Sequence, residues 1–357
     1  MFYMTITALI ENTTQLDGIQ TMHGLSLYVE TARHKFLVDM GNGSLFADNA
    51  AKLGVDLSEV DTAIITHGHN DHGGGLEEFL RLNTRAKVYI QASAFNNYYV
   101  KTDSGFDYIG LNAGLKNQLQ IVLLDGDYVI DTELRLITNP SGDILLPKFN
   151  KSLYQQCHYE RSEVIQKDVI STGRSVKQLC LEWHNCSTGE KSQPLKKFPS
   201  KEECPQGLVV AIKKFPSKIE GCRDSGGVIR HCEESQATRQ SRKSPDTFLH
   251  EQSVIISENG KTLLIAGCAH RGIINILRQA QLIVGKPINY CVGGFHLWSR
   301  ASDQTETESI AELSSLLEQS CSKFYTCHCT GQAAYAALKE RLGSRVEYLS
   351  AGMSIEI

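Results

Sequence analysis

The run Thr66-His67-Gly68-His69-Asn70-Asp71-His72-Gly73-Gly74-Gly75 packs three imidazoles and a carboxylate into six residues, His67 to His72. Polar atoms so close together cannot all find partners in an apolar core, and leaving them unpaired is costly. A metal ion satisfies several at once. Neutral imidazole and Asp oxygen are both zinc ligands, at about 2.0–2.2 Å. The flanks place the cluster. Residues 61–66, Asp-Thr-Ala-Ile-Ile-Thr, read as a β-branched strand, and Gly73–Gly75 opens the helical pattern Leu-Glu-Glu-Phe-Leu-Arg-Leu of 76–82. The ligands therefore ride a strand-to-helix loop. A histidine-rich surface turn is the alternative, but the specific spacing and the strand–loop–helix context favour a metal site.

The whole chain has 357 residues, enough for one large domain or two ordinary ones. Hydrophobic content of 41% and charged content of 21% fit a soluble globular protein, and a net charge of −4 gives no basic field for nucleic acid. The opening Met1-Phe2-Tyr3-Met4 lacks a basic region and reads as leading into a first strand rather than a secretory signal. No apolar stretch approaches the ~20 residues of a membrane helix. Eleven cysteines, an odd number without a signal, argue against a disulfide framework and for a reducing cytosol.

Strands are expected at 25–31, 35–40, 62–66, 86–90, 120–124 and 133–138, with helices at 44–53 and 75–82. The alternation resumes as a hairpin, 253–257 and 262–266, around Glu258-Asn259-Gly260, where Asn-Gly is a strong turn signal. Helices at 273–283, 306–319 and 332–342 then alternate with strands at 288–292 and 323–327, and short strands near 346–349 and 353–357 close the chain. This divides the chain into 1–149, 150–246 and 247–357. The middle segment loses periodicity and carries six of the eleven cysteines. It also repeats itself: Lys196-Lys197-Phe198-Pro199-Ser200-Lys201 recurs at 213–218, and the string from His158 loosely matches that from His231. A small metal or redox module using Cys180, Cys186, Cys204 and Cys222 is one reading. Zinc modules show paired Cys-x2–4-Cys spacing, absent here. The other reading, a poorly ordered and dispensable insertion resembling a palindromic repeat element translated in frame, is preferred.

Four clustered ligands exceed what one catalytic zinc takes while keeping a water position, so a binuclear centre is expected. Three more histidines stand where a strand ends and a turn begins: His270 in Gly267-Cys268-Ala269-His270, His296 in Gly293-Gly294-Phe295-His296, and His328 in Cys327-His328-Cys329. His270 and His328 are taken as ligands, and His296 as ligand or substrate contact. His23 is a weaker candidate to face the site, and His250-Glu251 to supply a ligand or a base. Asp39, before Gly41, is read as orienting the loop rather than binding metal. Cys268, Cys327 and Cys329 flank proposed ligands; each is as readily a small buried residue as a thiolate donor.

His-x-His-x-Asp-His after a strand, Asp39-x-Gly41 before it, and the later strand-end histidines resemble the metallo-β-lactamase superfamily over about 1–147 and 247–357. The strings His23-Gly-Leu-Ser, Gly267-Cys-Ala-His-Arg-Gly, Gly293-Gly-Phe-His and His328-Cys-Thr-Gly resemble its 7,8-dihydropterin-6-methyl-4-(β-D-ribofuranosyl)aminobenzene-5′-phosphate synthase-like branch. The resemblance implies an α/β fold, a four-layer αβ/βα sandwich, with two metals at one edge of the central sheets. It implies His67 and His69 on one metal, Asp71 and His72 on the other, and His270 or His328 completing the shells. The chain departs from the usual pattern in two places. No His lies between 72 and 158, and Gly267-Cys268 stands where a bridging aspartate is usual.

The function expected is a metal-dependent hydrolase with two divalent ions, zinc first and iron or manganese as alternatives. The ligands expected are His67, His69, Asp71, His72, His270 and His328. Asp71 fixes an attacking water, and His296 stabilises developing charge or protonates the leaving group of a phosphoester or carbonyl substrate. The substrate is expected to be small and anionic or phosphorylated. A synthase-like transferase and a non-catalytic or degenerate binding protein are the alternatives.

Overall fold

The computed structural model describes residues 4–158, 241–320 and 322–357. Two compact units are distinguished, one of Met1–Cys157 with Lys243–Ile357 and one of His158–Arg242. The second falls almost entirely outside the described residues, and with it the expectations for Cys180, Cys186, Cys204 and Cys222 and for the order of that segment.

The first unit is built on two seven-stranded sheets. One runs, in spatial order, Ser354–Glu356, Thr5–Ile10, Ser26–Glu30, Lys35–Val38, Thr62–Ile64, Lys87–Gln91 and Ile121–Leu124. The other runs Val346–Tyr348, Lys323–Thr326, Tyr290–Gly293, Lys261–Ala266, Gln252–Glu258, Leu134–Thr138 and Tyr128–Val129. The strand period of two sorts side chains between layers. Phe36, Val38 and Ile64 from the first sheet share one core with Val254, Ile256, Leu263, Ile265 and Val292 from the second. Their neighbours along the chain face outward. Leu37, Ala63 and Ile65 meet Phe46 and Ala50 of the helix Leu45–Lys52 and Leu76 and Phe79 of Leu76–Leu82. On the other side Leu264, Cys291 and Phe324 meet the helices Ile273–Val284, Ile310–Gln319 and Gln332–Leu342. Helix, sheet, sheet, helix is the four-layer α/β sandwich expected from the sequence.

In each sheet four strands run parallel in sequence order, from Lys35–Val38 through Ile121–Leu124 and from Lys261–Ala266 through Val346–Tyr348. Open parallel sheets place ligands beyond the carboxyl ends of their strands. Asp39, His67, Cys268, His296 and His328 each follow closely on such an end. The Asn-Gly hairpin forms as expected: Asn259 (φ 48°) and Gly260 (φ 79°) take the left-handed turn positions between Gln252–Glu258 and Lys261–Ala266.

Two expectations change. The helix expected from 306 starts at Ile310, because the backbone N–H of Glu306 donates to Leu297 O at 2.7 Å and its carboxylate accepts from Ser309 Oγ. The segment 150–246 does not begin and end outside the fold. Leu153–His158 and Ser241–Pro245 are neighbours in a small sheet completed by Tyr98–Thr102 and Gly105–Tyr108. No helix among the described residues is long and apolar enough to cross a membrane.

An ionic staple links the sheets. His34, beside the Lys35 strand, meets Asp61 at 3.0 Å and Asp131, ahead of Leu134–Thr138, at 2.9 Å. Burial pulls the His34 pKa down, but the two carboxylates outweigh it and hold it above 6.5. A raised imidazole pKa stabilises fully below the unfolded value and is lost as pH rises through the folded one. Asp131, held at about 2, gives up its contribution only as pH falls towards that value. His34→Ala is therefore expected to destabilise by about 1 kcal/mol near pH 6. The deficit should shrink above the raised imidazole pKa, as read by urea unfolding at a series of pH values.

Candidate metal centre

The strand Thr62–Ile64 ends at a loop that carries His67 and His69 into the short helical turn Asn70–Gly73, on which Asp71 and His72 sit. The turn is pinned by its own backbone: Asp71 O accepts from Leu25 N at 3.1 Å and His72 O from Met40 N at 2.7 Å. Gly24 (φ +151°) has to be glycine there, since a Cβ would lie 2.5 Å from Asp71 O. Gly267 brings the end of the Lys261–Ala266 strand against the same loop, where a Cβ would collide with Thr66 Oγ1.

The hydrogen bonds place a proton on Nδ1 in four of the imidazoles. Thr66 N and Thr66 Oγ1 both donate to Asp39, each at 2.7 Å. The Thr66 hydroxyl proton is thereby used, so at 3.0 Å Thr66 Oγ1 accepts from His67 Nδ1. His72 Nδ1 donates to Asp39 Oδ2 at 2.6 Å. Asn150 Nδ2 donates to His270 O at 2.7 Å, which turns Asn150 Oδ1 to accept from His270 Nδ1 at 3.0 Å. Asn12 holds His328 the same way, through its Nδ2 on His328 O and its Oδ1 on His328 Nδ1 at 3.1 Å. Four rings thus carry their proton on Nδ1 and aim Nε2 inward. Outer-shell partners set metal-ligating imidazoles in this manner.

The inward atoms form overlapping groups, one of which joins His67 to His72 and Cys268 and another His23 to Asp71 and His328. His67 Nε2 and His270 Nε2 lie 3.3 Å apart, and the donor atoms of His67, His69 and His270 all fall within 4.8 Å of one another. His72 Nε2 and His328 Nε2 lie 3.2 Å apart, with Asp71 Oδ2 3.4 Å from His328 Nε2 and 3.8 Å from His72 Nε2. Burial first, and neighbouring imidazoles second, push His67 and His270 well below the usual imidazole pKa. Their contact is therefore two lone pairs facing each other, a repulsion that a cation between them would reverse. Donors about 3.3 Å apart also match the edge of a tetrahedron with bonds of about 2.0–2.1 Å. Burial opposes charge on His72, yet Asp39 and Asp71 hold its pKa up at about 9, so its Nε2 also carries a proton at neutral pH, one that a cation in this pocket would have to displace. Asp71 is itself kept well below the carboxylate range, against the pull of burial, by His72, His23 and His328. The donor set fits divalent metal.

His296 (φ 51°) sits with its ring 4.3 Å from that of His270, and neither of its nitrogens has a hydrogen-bond partner. His23 reaches Asp71 Oδ2 at 3.3 Å. His250 is not placed as a ligand or base: its Nδ1 accepts from Gly68 N at 2.9 Å and its Nε2 meets Asp246 Oδ2 at 3.0 Å, so both nitrogens are spent on scaffolding. Glu251 likewise binds backbone, its two oxygens accepting from His270 N and Arg271 N at 2.6 and 2.8 Å. Burial raises its pKa to about 7 although those amides oppose the rise. Cys327 packs in the core between the sheets and takes no part.

Sequence reasoning missed Glu11, Asn12, Thr66, Asn150 and Asp246. Glu11 is the counterpart of Glu251. Its Oε1 accepts from His328 N at 2.7 Å and from Tyr348 OH at 2.6 Å. The available signal was a carboxylate directly after five buried strand residues, Ile6 to Ile10. Asn150 and Asp246 were hidden because they lie at the edges of the segment read as insertion. Glu251→Gln places an amide N–H against a backbone N–H. We expect chelator competition to show metal affinity about 10–100-fold weaker, with little change in secondary structure.

A sequence model of the metallo-β-lactamase superfamily matches residues 20–140, which contain His67 to His72 but not His270, His296 or His328. The 7,8-dihydropterin-6-methyl-4-(β-D-ribofuranosyl)-aminobenzene-5′-phosphate synthase of Methanocaldococcus jannaschii is 31% identical over 347 residues, covering 94% of this chain and 90% of that protein. An atrochrysone carboxyl ACP thioesterase of Aspergillus fumigatus is 38% identical over 74 residues, 19% of this chain and 17% of its own. Among solved structures, a metal-dependent hydrolase of the β-lactamase superfamily superposes with a TM-score of 0.63 at 21% identity, covering 99% of both chains, and shares the fold. Fold, family model and a length-matched relative agree, and the chain belongs to the metallo-β-lactamase superfamily.

Proposed function

We propose that this protein is a hydrolase that uses two divalent ions, zinc first, to cleave a small anionic phosphoester or carbonyl substrate in the cytoplasm. His67, His69 and His270 hold one ion; Asp71, His72 and His328 hold the other. The observation that carries this reading is the convergence of His67 Nε2 and His270 Nε2, 3.3 Å apart in a buried site, each ring being held through its Nδ1 by a neighbouring side chain. When bound, a pair of such cations brings the pKa of water to about 7 and steadies the oxygens of a displacement. The side chains divide the remaining work. Asp71, steadied by His23 at 3.3 Å, orients the attacking water. His296, with both nitrogens free of internal partners, donates to the developing charge or to the leaving group. Asp39, Glu11 and Glu251 hold the loops in register and touch no substrate.

A second reading is favoured by one observation, the 31% identity to the dihydropterin synthase across 94% of the chain. There the same residues would orient a pterin and a ribosylaminobenzene phosphate for joining. The two readings separate in one assay series. Zinc-loaded protein is offered generic phosphodiesters, thioesters and lactams, and separately the dihydropterin with the ribofuranosylaminobenzene phosphate. Cleavage that disappears in His67→Ala supports the hydrolase. Joining of the two partners without cleavage of the first panel supports the synthase. Turnover of neither by protein holding two ions would overturn both and leave a binding protein.

A further inference from the structure

Two free thiols meet beside the histidines. Cys268 and Cys329 are each 3% exposed, and with His328 they form a group whose donor atoms all lie within 4.8 Å of one another. Cys329 Sγ also lies 3.6 Å from Cys268 O. The two come from strands that are not neighbours. Cys268 follows Lys261–Ala266, Cys329 lies in the single turn His328–Thr330 after Lys323–Thr326, and the strand Tyr290–Gly293 runs between. They meet because the residue just past that middle strand is glycine. A Cβ on Gly294 would lie 2.3 Å from Cys329 Sγ and 3.2 Å from Gly267 O, in the space between the two turns. The other buried thiols differ. Cys291 packs among the aliphatic side chains under the outer helices and Cys327 among those between the sheets, whereas Cys268 and Cys329 belong to none of the three hydrophobic clusters.

We propose that Cys268 and Cys329 form an oxidation site, a dithiol that a peroxide converts reversibly to a disulfide. One sulfur attacks the peroxide, breaking its O–O bond, and becomes a sulfenic acid while the other oxygen leaves as water. The second sulfur then displaces that hydroxyl as a second water. Two S–H bonds and one peroxide give one S–S bond and two waters, the sulfurs losing the two electrons that the oxygens gain. A peroxide reaches the pair through the mouth of the site, where His296 is half-buried and the side chains of His23 and Asp71 keep 20% and 18% of their exposure. An S–S bond of about 2.05 Å draws Cys329 across Gly294 and with it the turn that carries His328. It also takes Cys268 Sγ from its contact with His72 Nε2, at 3.1 Å. The pocket of Asp71, His72 and His328 is therefore the one disturbed. The oxidation site stands on the sulfur geometry alone, and its effect on zinc rests on the binuclear reading above. In a reducing compartment small thiols reopen the bond, which makes the pair a switch.

The test treats full-length, zinc-loaded protein with a small excess of hydrogen peroxide, alkylates the remaining thiols with iodoacetamide and maps tryptic peptides by mass spectrometry, with zinc counted before and after. The expected result is a disulfide linking peptides 262–271 and 324–339, lost on adding dithiothreitol. The second peptide also contains Cys327, so variants assign the bond. The link should persist in Cys327→Ser and Cys291→Ser and vanish in Cys268→Ser and Cys329→Ser. Bound zinc should fall from two ions to about one as the link forms and recover with dithiothreitol and added zinc, while Cys329→Ser keeps the zinc it held before peroxide. Both thiols recovered alkylated, either one recovered as a sulfinic or sulfonic acid without the link, or a link through Cys327 would overturn the proposal. A link formed with both ions retained would overturn the effect on zinc and leave the binuclear reading standing. A link formed in protein that held no zinc before peroxide would overturn that reading and uphold the oxidation site.

Discussion

His270→Ala is expected to lower bound zinc from two ions per chain to about one and to remove nearly all activity. His270 is the only one of its three donors that comes from the second half of the chain, and its Nε2 faces His67 Nε2 at 3.3 Å. Without it, His67 and His69 remain as a two-donor remnant on one loop, too few for a stable zinc shell. An ion in such a site supplies several kcal/mol of transition-state stabilisation. A loss on the order of 4 kcal/mol is about a thousandfold in rate. His328→Ala should show the complementary pattern, sparing the His67 pocket and emptying that of Asp71 and His72. Metal counting on both variants beside the wild type reads this directly. Two ions retained in either would contradict the assignment of that histidine.

The second large effect is expected at Asp39, which binds no metal in this account. Its buried carboxylate takes Thr66 N, Thr66 Oγ1 and His72 Nδ1, and through Thr66 it fixes the proton of His67. Asp39→Ala leaves these donors unpaired in the interior. Breaking a buried charged pair costs about 3–5 kcal/mol, so a clear fall in the midpoint of urea unfolding is expected. Asp39→Asn separates positioning from packing. Its Nδ2 would face the Thr66 hydroxyl and His72 Nδ1–H, two donors against a third. Thr66 would have to turn its proton towards His67 Nδ1, which moves the His67 proton onto Nε2 and into the metal site. Metal affinity about 10–100-fold weaker in Asp39→Asn, with native secondary structure, is the expected outcome. Wild-type affinity in that variant would show that the Asp39–Thr66–His67 relay does not set the ligand.

Most of this architecture was legible because it rests on local periodicity. The alternation Phe36-Leu37-Val38 places every second residue between the sheets, and Gln332–Leu342 is bounded as expected because Gly331 and Gly343 punctuate it. The first histidine–aspartate cluster was visible because its residues are neighbours in sequence. His270 and His328 stood out through a repeated context, strand then turn then helix. What stayed hidden depends on contacts between distant residues. Asn12 lies 316 residues from His328 and Asn150 lies 120 from His270, and an asparagine carries no mark of the imidazole it will hold. The span 150–246 was bounded by loss of periodicity, which took in two strands of the four-stranded sheet, Leu153–His158 and Ser241–Pro245. Short strands in a small peripheral sheet have one partly wet face and leave only a weak pattern. His250 looked like a site residue because it is a histidine beside a glutamate ahead of a strand. Only its two partners, Gly68 N and Asp246 Oδ2, identify it as scaffold.

Buried imidazoles and a carboxylate from both halves of the chain converge on one site, and in the proposed function they hold a pair of cations. Plasma emission analysis of the full-length protein, purified without added chelator and dialysed against zinc-containing and then zinc-free buffer, tests it most directly. About two zinc ions per chain are expected, falling to about one in His270→Ala. Wild-type protein that retains none would contradict it.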